Sequence, residues 1–327
     1  MVPAGLKQDG AERGGHHFCM HLPVKSRREK RRKRDQGKPL PMQGKCDMEE
    51  LRMHQDIPSP FSGLYAPVPD IGAYLRRIGY EGTPEVSLPC LTELMACHLS
   101  EVPFENLDVF HGRKEPSLDT EALFRKIVLE RRGGYCFEIN GLFQRLLTAL
   151  GFPCWSAAAR IVLGHSYLPP RAHQIVLAEL EGRRYFCDVG YGGPVPALPI
   201  EIDYEKILSC PMARRYRFSL DGAETILSVE RGGRFVPMLA FSEIPSDPVD
   251  FLPLNAYCAH SPMEPFLHKQ MAWRRTPTGR RSIDGDILRV EQSGNVTETR
   301  LTSDEALAAA LREHFGISYP GPLRRWR

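Results

Sequence analysis

The chain has 327 residues, of which 42% are hydrophobic, and its formal net charge is +3. This length predicts a globular protein of two or three modules, and the absence of any run of 18 apolar residues argues against a membrane span. The first 65 residues carry 13 Lys and Arg against 8 Asp and Glu, whereas the remainder carries 30 against 32, so a broad nucleic-acid-binding surface on the folded part is not expected.

The first 65 residues are predicted to form a disordered basic tail. They lack hydrophobic periodicity and contain a run of mostly basic residues at positions 25–34, in which like charges repel one another. This tail could bind nucleic acid or act as a localisation signal. It could equally be a solvated, dispensable segment, or upstream sequence of an over-long gene model that truly starts at Met48 or Met53.

Helical patterns follow in residues 66–152. Asp70 is a possible N-cap and Gly79 a possible stop for the first helix, and later stretches repeat apolar residues along one helical face. The predicted helices cover residues 70–79, 88–99, 117–130 and 137–150.

From Cys154 the pattern changes to short strands separated by Gly, Pro and Asp turns, which predicts an antiparallel sheet or barrel. Near the C-terminus two more strands flank Gly294, and Thr302 or Ser303 caps a last helix. The predicted strands cover residues 155–163, 173–180, 184–189, 213–220, 224–230, 235–239, 281–288 and 295–301, and the last helix covers 304–314. The fold class is therefore α+β.

The nine cysteines are scattered along the chain and form neither a CxxC pair nor a Cys/His spacing suited to zinc. We therefore expect free thiols and no metal. No signal peptide is recognised. Together these features favour a reducing compartment, and thus a cytoplasmic protein.

One cysteine has an unusual context. In the segment Arg-Arg-Gly-Gly-Tyr-Cys-Phe-Glu-Ile-Asn, residues 131–140, Cys136 follows a flexible Gly-Gly turn at the start of a predicted helix. The N–H groups of a helix N-terminus favour a thiolate, and so do the neighbouring Arg131 and Arg132. Most cysteines are instead small buried hydrophobic residues, which is our interpretation of Cys154 and Cys187.

His173 and Asp188 are the candidate base and orienting acid. If residues 173–180 and 184–189 form a hairpin that turns near residues 181–183, both side chains lie at its open end. His173 could also be a buried histidine bonded to a backbone carbonyl. The residues alone therefore indicate a cysteine nucleophile for acyl transfer or hydrolysis. Three further histidines lack an adjacent acid and are expected on the surface or in loops: His165, His260 and His268.

Taken together, these motifs resemble the arylamine N-acetyltransferase family over residues 69–316. The matching segments read, in order, YLRRIGY, HLSEVPFENLDV, RRGGYCFEIN, HQIVLAEL, FCDVGYGGPVPALPI and FLPLNAYCAHSPMEPF. The resemblance implies a helical domain with the nucleophile (residues 66–152), a β-barrel domain (153–265) and an α/β lid (266–327), built around a Cys-His-Asp core like that of cysteine proteases.

The resemblance also implies a mechanism. Cys136, His173 and Asp188 would form a catalytic triad, and acetyl-coenzyme A would acetylate the cysteine before an arylamine, arylhydroxylamine or hydrazine accepts the acetyl group. Phe104 and Tyr191 are expected to flank the amine, and the backbone at Gly192 to approach the acyl donor. No membrane partner is expected, and nucleic acid only through the tail.

Two other interpretations of the same residues remain open. A same-fold amide synthase would join an amine to a tethered acyl chain, and a Cys-His-Asp hydrolase would cleave an amide or peptide with water.

Overall fold

The described structure begins at residue 59, before the predicted end of the tail at residue 65. A computed structural model of the protein describes residues 59–193, 195–210 and 214–323. The basic run at 25–34, like most of the predicted tail, lies outside the described residues. Ser62–Tyr65 forms a 3-10 turn with Leu64 buried. The Leu64 carbonyl accepts a hydrogen bond from Arg145 at 2.7 Å, so this turn is fixed to the folded part.

Four of the five predicted helices are confirmed with small shifts: those at 70–79, 88–99, 137–150 and 304–314. The Asp70 side chain caps the first helix by accepting from the Ala73 N–H, and Gly79 ends it in the left-handed conformation. Ser87 caps the second. The α-helices of the described residues are Ile71–Ile78, Leu88–Glu101, Leu107–Phe110, Thr120–Phe124, Cys136–Ala149, Phe251–His260 and Asp304–Phe315.

The third predicted helix, residues 117–130, is wrong at both ends. Asp119 is extended and acts as the N-cap, so the helix starts only at Thr120. After Phe124 the chain widens into a π-helical turn, Arg125–Leu129, and the Glu130 N–H bonds to the Arg125 carbonyl at 2.8 Å. This wider turn fixes the direction in which the chain enters the Gly-Gly segment before Cys136.

An eight-stranded antiparallel sheet follows, in the order β5-β4-β3-β2-β9-β8-β7-β6. The predicted hairpin is confirmed: Leu180 pairs with Arg183, and Glu181 and Gly182 form the turn with positive φ. The strands are β2 Cys154–Ile161, β3 His173–Leu180, β4 Arg183–Phe186, β5 Ile200–Glu201, β6 Ile207–Cys210, β7 Arg214–Asp221, β8 Glu224–Arg231 and β9 Arg234–Phe241.

A second sheet of five strands has the order β1-β10-β11-β12-β13. The single strand predicted at residues 281–288 is wrong, because Gly285, with φ of 63°, turns the chain and divides it into β11 and β12. The turn at Gly294 and the Ser303 cap of the last helix are confirmed. The strands are β1 Phe104–Glu105, β10 Met271–Thr276, β11 Gly279–Asp284, β12 Ile287–Gln292 and β13 Asn295–Arg300.

The sequence patterns missed the helix Phe251–His260. Pro253 is tolerated in its first turn because the N–H groups there have no partner within the helix. Its side chains Phe251, Cys258 and Ala259 share one buried cluster with the N-terminal helices. The α+β class is confirmed, whereas the domain limits at 152 and 265 stay predictions. No helix within the described part of the chain is long and apolar enough to cross a membrane.

Candidate active site

Cys136 is the first residue of the helix Cys136–Ala149, as predicted, and its side chain is a free thiol. It is 4% exposed. The Glu138 carboxylate accepts a hydrogen bond from the Tyr135 N–H at 3.0 Å, which satisfies one donor of the helix start. The thiol therefore lies where the N–H groups of the first turn favour negative charge.

The Gly-Gly turn before Cys136 is closely packed rather than flexible. A Cβ on Gly133 would lie 1.8 Å from the Pro103 carbonyl oxygen, so no other residue fits there. The Gly134 carbonyl accepts from the Glu105 N–H at 2.9 Å. These contacts bring the segment that carries Phe104 alongside the nucleophile.

Arg132 does not supply free positive charge to the thiol, which corrects the sequence interpretation. It is 4% exposed, and its guanidinium bonds to Glu105 at 2.7 Å and Asp108 at 2.8 Å. Its charge is therefore neutralised by two carboxylates. What it stabilises is the chain conformation that leads into the helix.

Arg132 belongs to a buried charge cluster of five side chains: Glu105, Asp108, Lys126, Arg132 and Glu138. Lys126 lies 2.6 Å from Glu138 and 2.7 Å from Asp108. Burial raises the pKa of Glu138 to about 7, although Lys126 opposes the shift. Burial alone would lower the pKa of Lys126, but the carboxylates of the cluster outweigh this effect and raise it. The cluster ties the π-helical turn to the start of the Cys136 helix.

His173 and Asp188 meet at the open end of the β3–β4 hairpin, as predicted. His173 Nε2 lies 2.7 Å from Asp188 Oδ2, and both side chains are buried. The Cys136 side chain also acts on the ring, and Nδ1 is the ring nitrogen that the Asp188 contact leaves available. Burial lowers the pKa of His173, but the charges of Asp188 and Cys136 outweigh it and raise the pKa to about 10.

Asn140 completes the hydrogen bonding of the acid, and sequence reasoning missed it. Its Nδ2 donates to Asp188 Oδ1 at 2.8 Å and to the Gln174 carbonyl at 2.6 Å. Its Oδ1 accepts from the Val189 N–H at 2.9 Å. Asn140 lies four residues after Cys136, on the same helical face. That spacing was the available signal.

The thiol and imidazole open onto a cavity of about 500 Å³. Phe104 lies on one wall with its ring centroid 6.4 Å from that of Phe266. Tyr191 lies edge-on to the His173 ring at 5.7 Å. The described lining residues are mostly apolar, and they include Cys136, His173, Phe104, Tyr191, Gly192 and Ala172.

Gly192 lines this cavity with φ of +68°. A Cβ there would lie 2.8 Å from Cγ of Phe104. Both the backbone conformation and the contact with the aromatic ring require glycine. The loop therefore brings its backbone close to the ring that lines the site.

Two histidines expected to be ordinary surface residues also line the cavity. His165 and His268 are exposed and border it, together with Glu264 and Tyr257. His260 lies elsewhere, with Nε2 3.1 Å from Glu115 Oε2. The interpretation of Cys187 as a buried core residue is confirmed, whereas Cys154 is half-buried.

The arrangement combines a thiol, an imidazole and a carboxylate beside an apolar cavity. Such a set can activate a sulfur nucleophile, move its proton and hold the resulting imidazolium. Among the residues that the structure describes, no group of three His, Cys, Asp or Glu side chains could hold a metal ion.

Comparisons with known proteins agree with this chemistry. A family described as N-acetyltransferase matches residues 87–323. The arylamine N-acetyltransferase of Escherichia coli K12 is 34% identical over 252 residues, which cover 76% of this chain and 89% of that protein.

Solved structures show the same fold. The arylamine N-acetyltransferase from Salmonella typhimurium matches with a TM-score of 0.73 and 29% identity, covering 77% of this chain and 92% of that one. The enzyme from Mycobacterium marinum, solved in complex with CoA, matches with a TM-score of 0.71 and 28% identity, covering 76% of this chain and 93% of that one.

Proposed function

The chain belongs to the arylamine N-acetyltransferase family, and on that premise we propose that it acetylates arylamines, arylhydroxylamines or hydrazines from acetyl-coenzyme A through an acetyl-cysteine intermediate. The observation that supports this most directly is the contact of His173 with Asp188 at 2.7 Å, beside the Cys136 thiol and at the edge of the cavity. Acetyl-coenzyme A acts as a co-substrate, and the mechanism needs no metal.

Before the first half-reaction, His173 holds the thiol proton of Cys136 as an imidazolium beside the thiolate. The thiolate sulfur attacks the acetyl carbonyl of acetyl-coenzyme A. The new C–S bond forms as the bond to the coenzyme A sulfur breaks, and His173 returns the proton to the leaving thiolate. One thioester replaces another, so this step is nearly balanced in free energy. Asp188 orients the ring and stabilises its positive charge.

In the second half-reaction, the amine nitrogen attacks the acetyl carbonyl on Cys136. An arylamine is largely unprotonated at neutral pH, so it can attack without prior activation. Its excess proton passes to His173 as the Cys136 sulfur departs as a thiolate, which restores the thiolate–imidazolium pair. Backbone N–H groups of the first helical turn, that of Cys136 included, would stabilise the negative oxygen of each tetrahedral intermediate.

We propose places for the two substrates within the cavity. Phe104 and Tyr191 would hold the aromatic ring of the amine, since both lie beside the thiol or the imidazole. The backbone at Gly192 would face the acyl donor. The seven described cysteines are free, which supports the further proposal that the protein works in the cytoplasm.

The test is mass spectrometry of the intact protein after brief exposure to acetyl-coenzyme A. We expect a gain of one acetyl group that disappears when an arylamine is added. Cys136→Ser should show no gain, whereas Cys154→Ser, which changes a half-buried thiol outside the cavity, should react as the wild type does. Acetylation at another residue, or turnover without Cys136, would refute the proposal.

The same experiment separates the two alternatives. A hydrolase would release acetate at full rate with no amine present. An amide synthase would acylate Cys136 from a longer tethered chain in preference to acetyl-coenzyme A.

A further inference from the structure

The cavity carries one acidic side chain that the proposed mechanism does not use. Glu264 lies in the loop between the helix Phe251–His260 and the 3-10 turn Pro265–Leu267, and it borders the same cavity as Cys136. It comes two residues before Phe266, whose ring faces Phe104. Glu264 therefore lines the same cavity as Phe266 and as Phe104, the aromatic side chain beside which we place the acceptor.

The Glu264 backbone is fixed by its N–H, which donates to the Ser261 carbonyl at 3.2 Å. Its carboxyl group interacts with His165 and Tyr257, which favour its charged form. Burial raises the pKa of Glu264, and His165 and Tyr257 only partly offset this. A half-buried carboxylate whose desolvation is only partly compensated gains from any further cation or N–H donor that reaches it.

The rest of the lining balances this acid only in part, through His165. Among the described residues that border the cavity, Glu264 is the one carboxylic acid, and there is no Lys or Arg. Arg231 acts electrostatically on Tyr191 but is not part of the lining. An acceptor with a carboxylate on its far end would therefore meet a like charge, whereas one with an ammonium or N–H group would meet a partner.

We infer that Glu264 sets the acceptor preference of the enzyme, selecting aromatic amines that carry a second, cationic or hydrogen-bond-donating group over those that carry an anionic one. This inference rests on the proposed function, since it assigns the far end of the amine that attacks the acetyl group on Cys136. The selection acts through charge complementarity at a partly buried position, where electrostatic effects are larger than at an open surface.

The test compares three acceptors of similar shape with different charges: 4-aminobenzylamine (cationic), 4-methylaniline (neutral) and 4-aminophenylacetate (anionic). With acetyl-coenzyme A as donor, kcat/KM is measured for each amine and divided by the value for the neutral amine. The result for the cationic amine should exceed that for the anionic amine by about five- to tenfold. A wild-type preference for the anionic amine would overturn the inference before any variant is made.

Two variants test the assignment to Glu264. Glu264→Gln keeps the size and removes the charge, so the ratio should fall towards one, and Glu264→Lys should invert it. The matched control is Glu230→Gln, which removes a carboxylate that pairs with Arg215 at 3.0 Å outside the cavity. Its ratio should remain that of the wild type.

The outcomes are distinguishable. An unchanged ratio in Glu264→Gln would refute the inference, and so would a change confined to the KM of acetyl-coenzyme A, which would assign the carboxyl group to the donor. Acetylation of Cys136 is followed by mass spectrometry in each variant. If the wild type is not acetylated, the proposed function fails. If it is acetylated but shows no charge preference, only the role of Glu264 fails.

Discussion

The Asn140 amide donates a hydrogen bond to the Asp188 carboxylate at 2.8 Å, from one helical turn beyond Cys136. The helix that carries Cys136 thus also holds Asp188, whose carboxylate contacts His173. The same amide contacts Gln174, directly after His173. The relative position of thiol and imidazole therefore depends on a side chain that takes no part in proton transfer.

Replacing this amide should slow catalysis without removing the nucleophile. Asn140→Ala removes one hydrogen bond from Asp188 Oδ1 and the acceptor of the Val189 N–H, while Asp188 keeps its contacts with His173 and the Gly190 N–H. We expect kcat to fall by about 10- to 100-fold because the His173 ring loses its alignment. The KM for acetyl-coenzyme A should change little. Gln144→Ala, which removes a half-buried amide that lies one turn further along the same helix and bonds only within its own region, is the control. Equal losses in both variants, or a normal kcat in Asn140→Ala, would contradict this role.

Among the described thiols, Cys136 should react first with iodoacetamide in the native protein. Burial raises the pKa of Cys187, of Cys258 and, to about 11, of Cys210, so these thiols remain protonated and unreactive. Peptide mapping after a short reaction gives the order of labelling. Prior incubation with acetyl-coenzyme A should protect Cys136. Early labelling of Cys258 would show that the assignment is wrong. Cys19 and Cys46 lie outside the described residues and are scored separately.

His173 should keep its ring proton well above neutral pH. Its pKa is about 10, since the charges of Asp188 and Cys136 outweigh the effect of burial. Nitrogen NMR of ¹⁵N-histidine-labelled protein should therefore show the imidazolium form from pH 6 to about pH 9. In Asp188→Asn the carboxylate charge is lost, and the midpoint should move down by about one unit or more. His173→Gln identifies the signal. A ring that titrates near pH 6.5 in the wild type would contradict the prediction.

Gly192→Ala should impair activity more than stability alone explains. Gly232 provides a matched control, because it also has a positive φ, of +57°, but a Cβ added there would have nothing within 4 Å. Both substitutions should cost about 1 kcal/mol of folding free energy from the left-handed backbone. Only Gly192→Ala should displace the Phe104 ring, and it should raise the KM for arylamines. Similar KM values for the two variants would show that the contact with Phe104 does not matter for binding.

Acid should destabilise the protein through a histidine outside the active site. His98 is fully buried, with its Nε2 3.0 Å from the Tyr74 hydroxyl oxygen. Burial and, to a smaller extent, the positive charge of Arg77 lower its pKa to about 3. Between pH 6.5 and pH 3 the unfolded state binds a proton that the folded state does not. Stability is therefore retained above pH 6.5 and falls as the pH drops.

Urea unfolding at pH 7, 6 and 5 measures this effect. His98 should contribute a slope of up to about 1.4 kcal/mol per pH unit, and His98→Gln should reduce it. His260→Gln, at an exposed position, should not. Equal slopes in the wild type and in His98→Gln would show that other groups control the acid sensitivity.

Much of the site could be predicted because its parts are local in sequence. The helix start at Cys136 follows from the residues around it, and the hairpin places His173 and Asp188 together through a turn at Glu181 and Gly182. Such features depend on short-range patterns of periodicity and turn residues.

What could not be predicted depends on contacts between distant segments. The partners of Arg132 are Glu105 and Asp108, more than 20 residues away, so its neutralisation was invisible in the sequence. Strand β1 is two residues long and exists only because it pairs with β10 near residue 272. The turn at Gly285 is different, because the Asp-Gly pair was a local signal that the prediction overlooked.

The positions of Cys136, His173 and Asp188 along the chain determine when during folding these three side chains come together. Cys136 is contributed by a helix, and its base by a hairpin that follows later in the chain. A polypeptide that has formed only its helices, as during synthesis, would carry an ordinary thiol with no imidazole in reach. On the proposed mechanism, Cys136 can therefore react with acetyl-coenzyme A only after the sheet has docked against the helix. An incompletely folded chain would not use up the acyl donor.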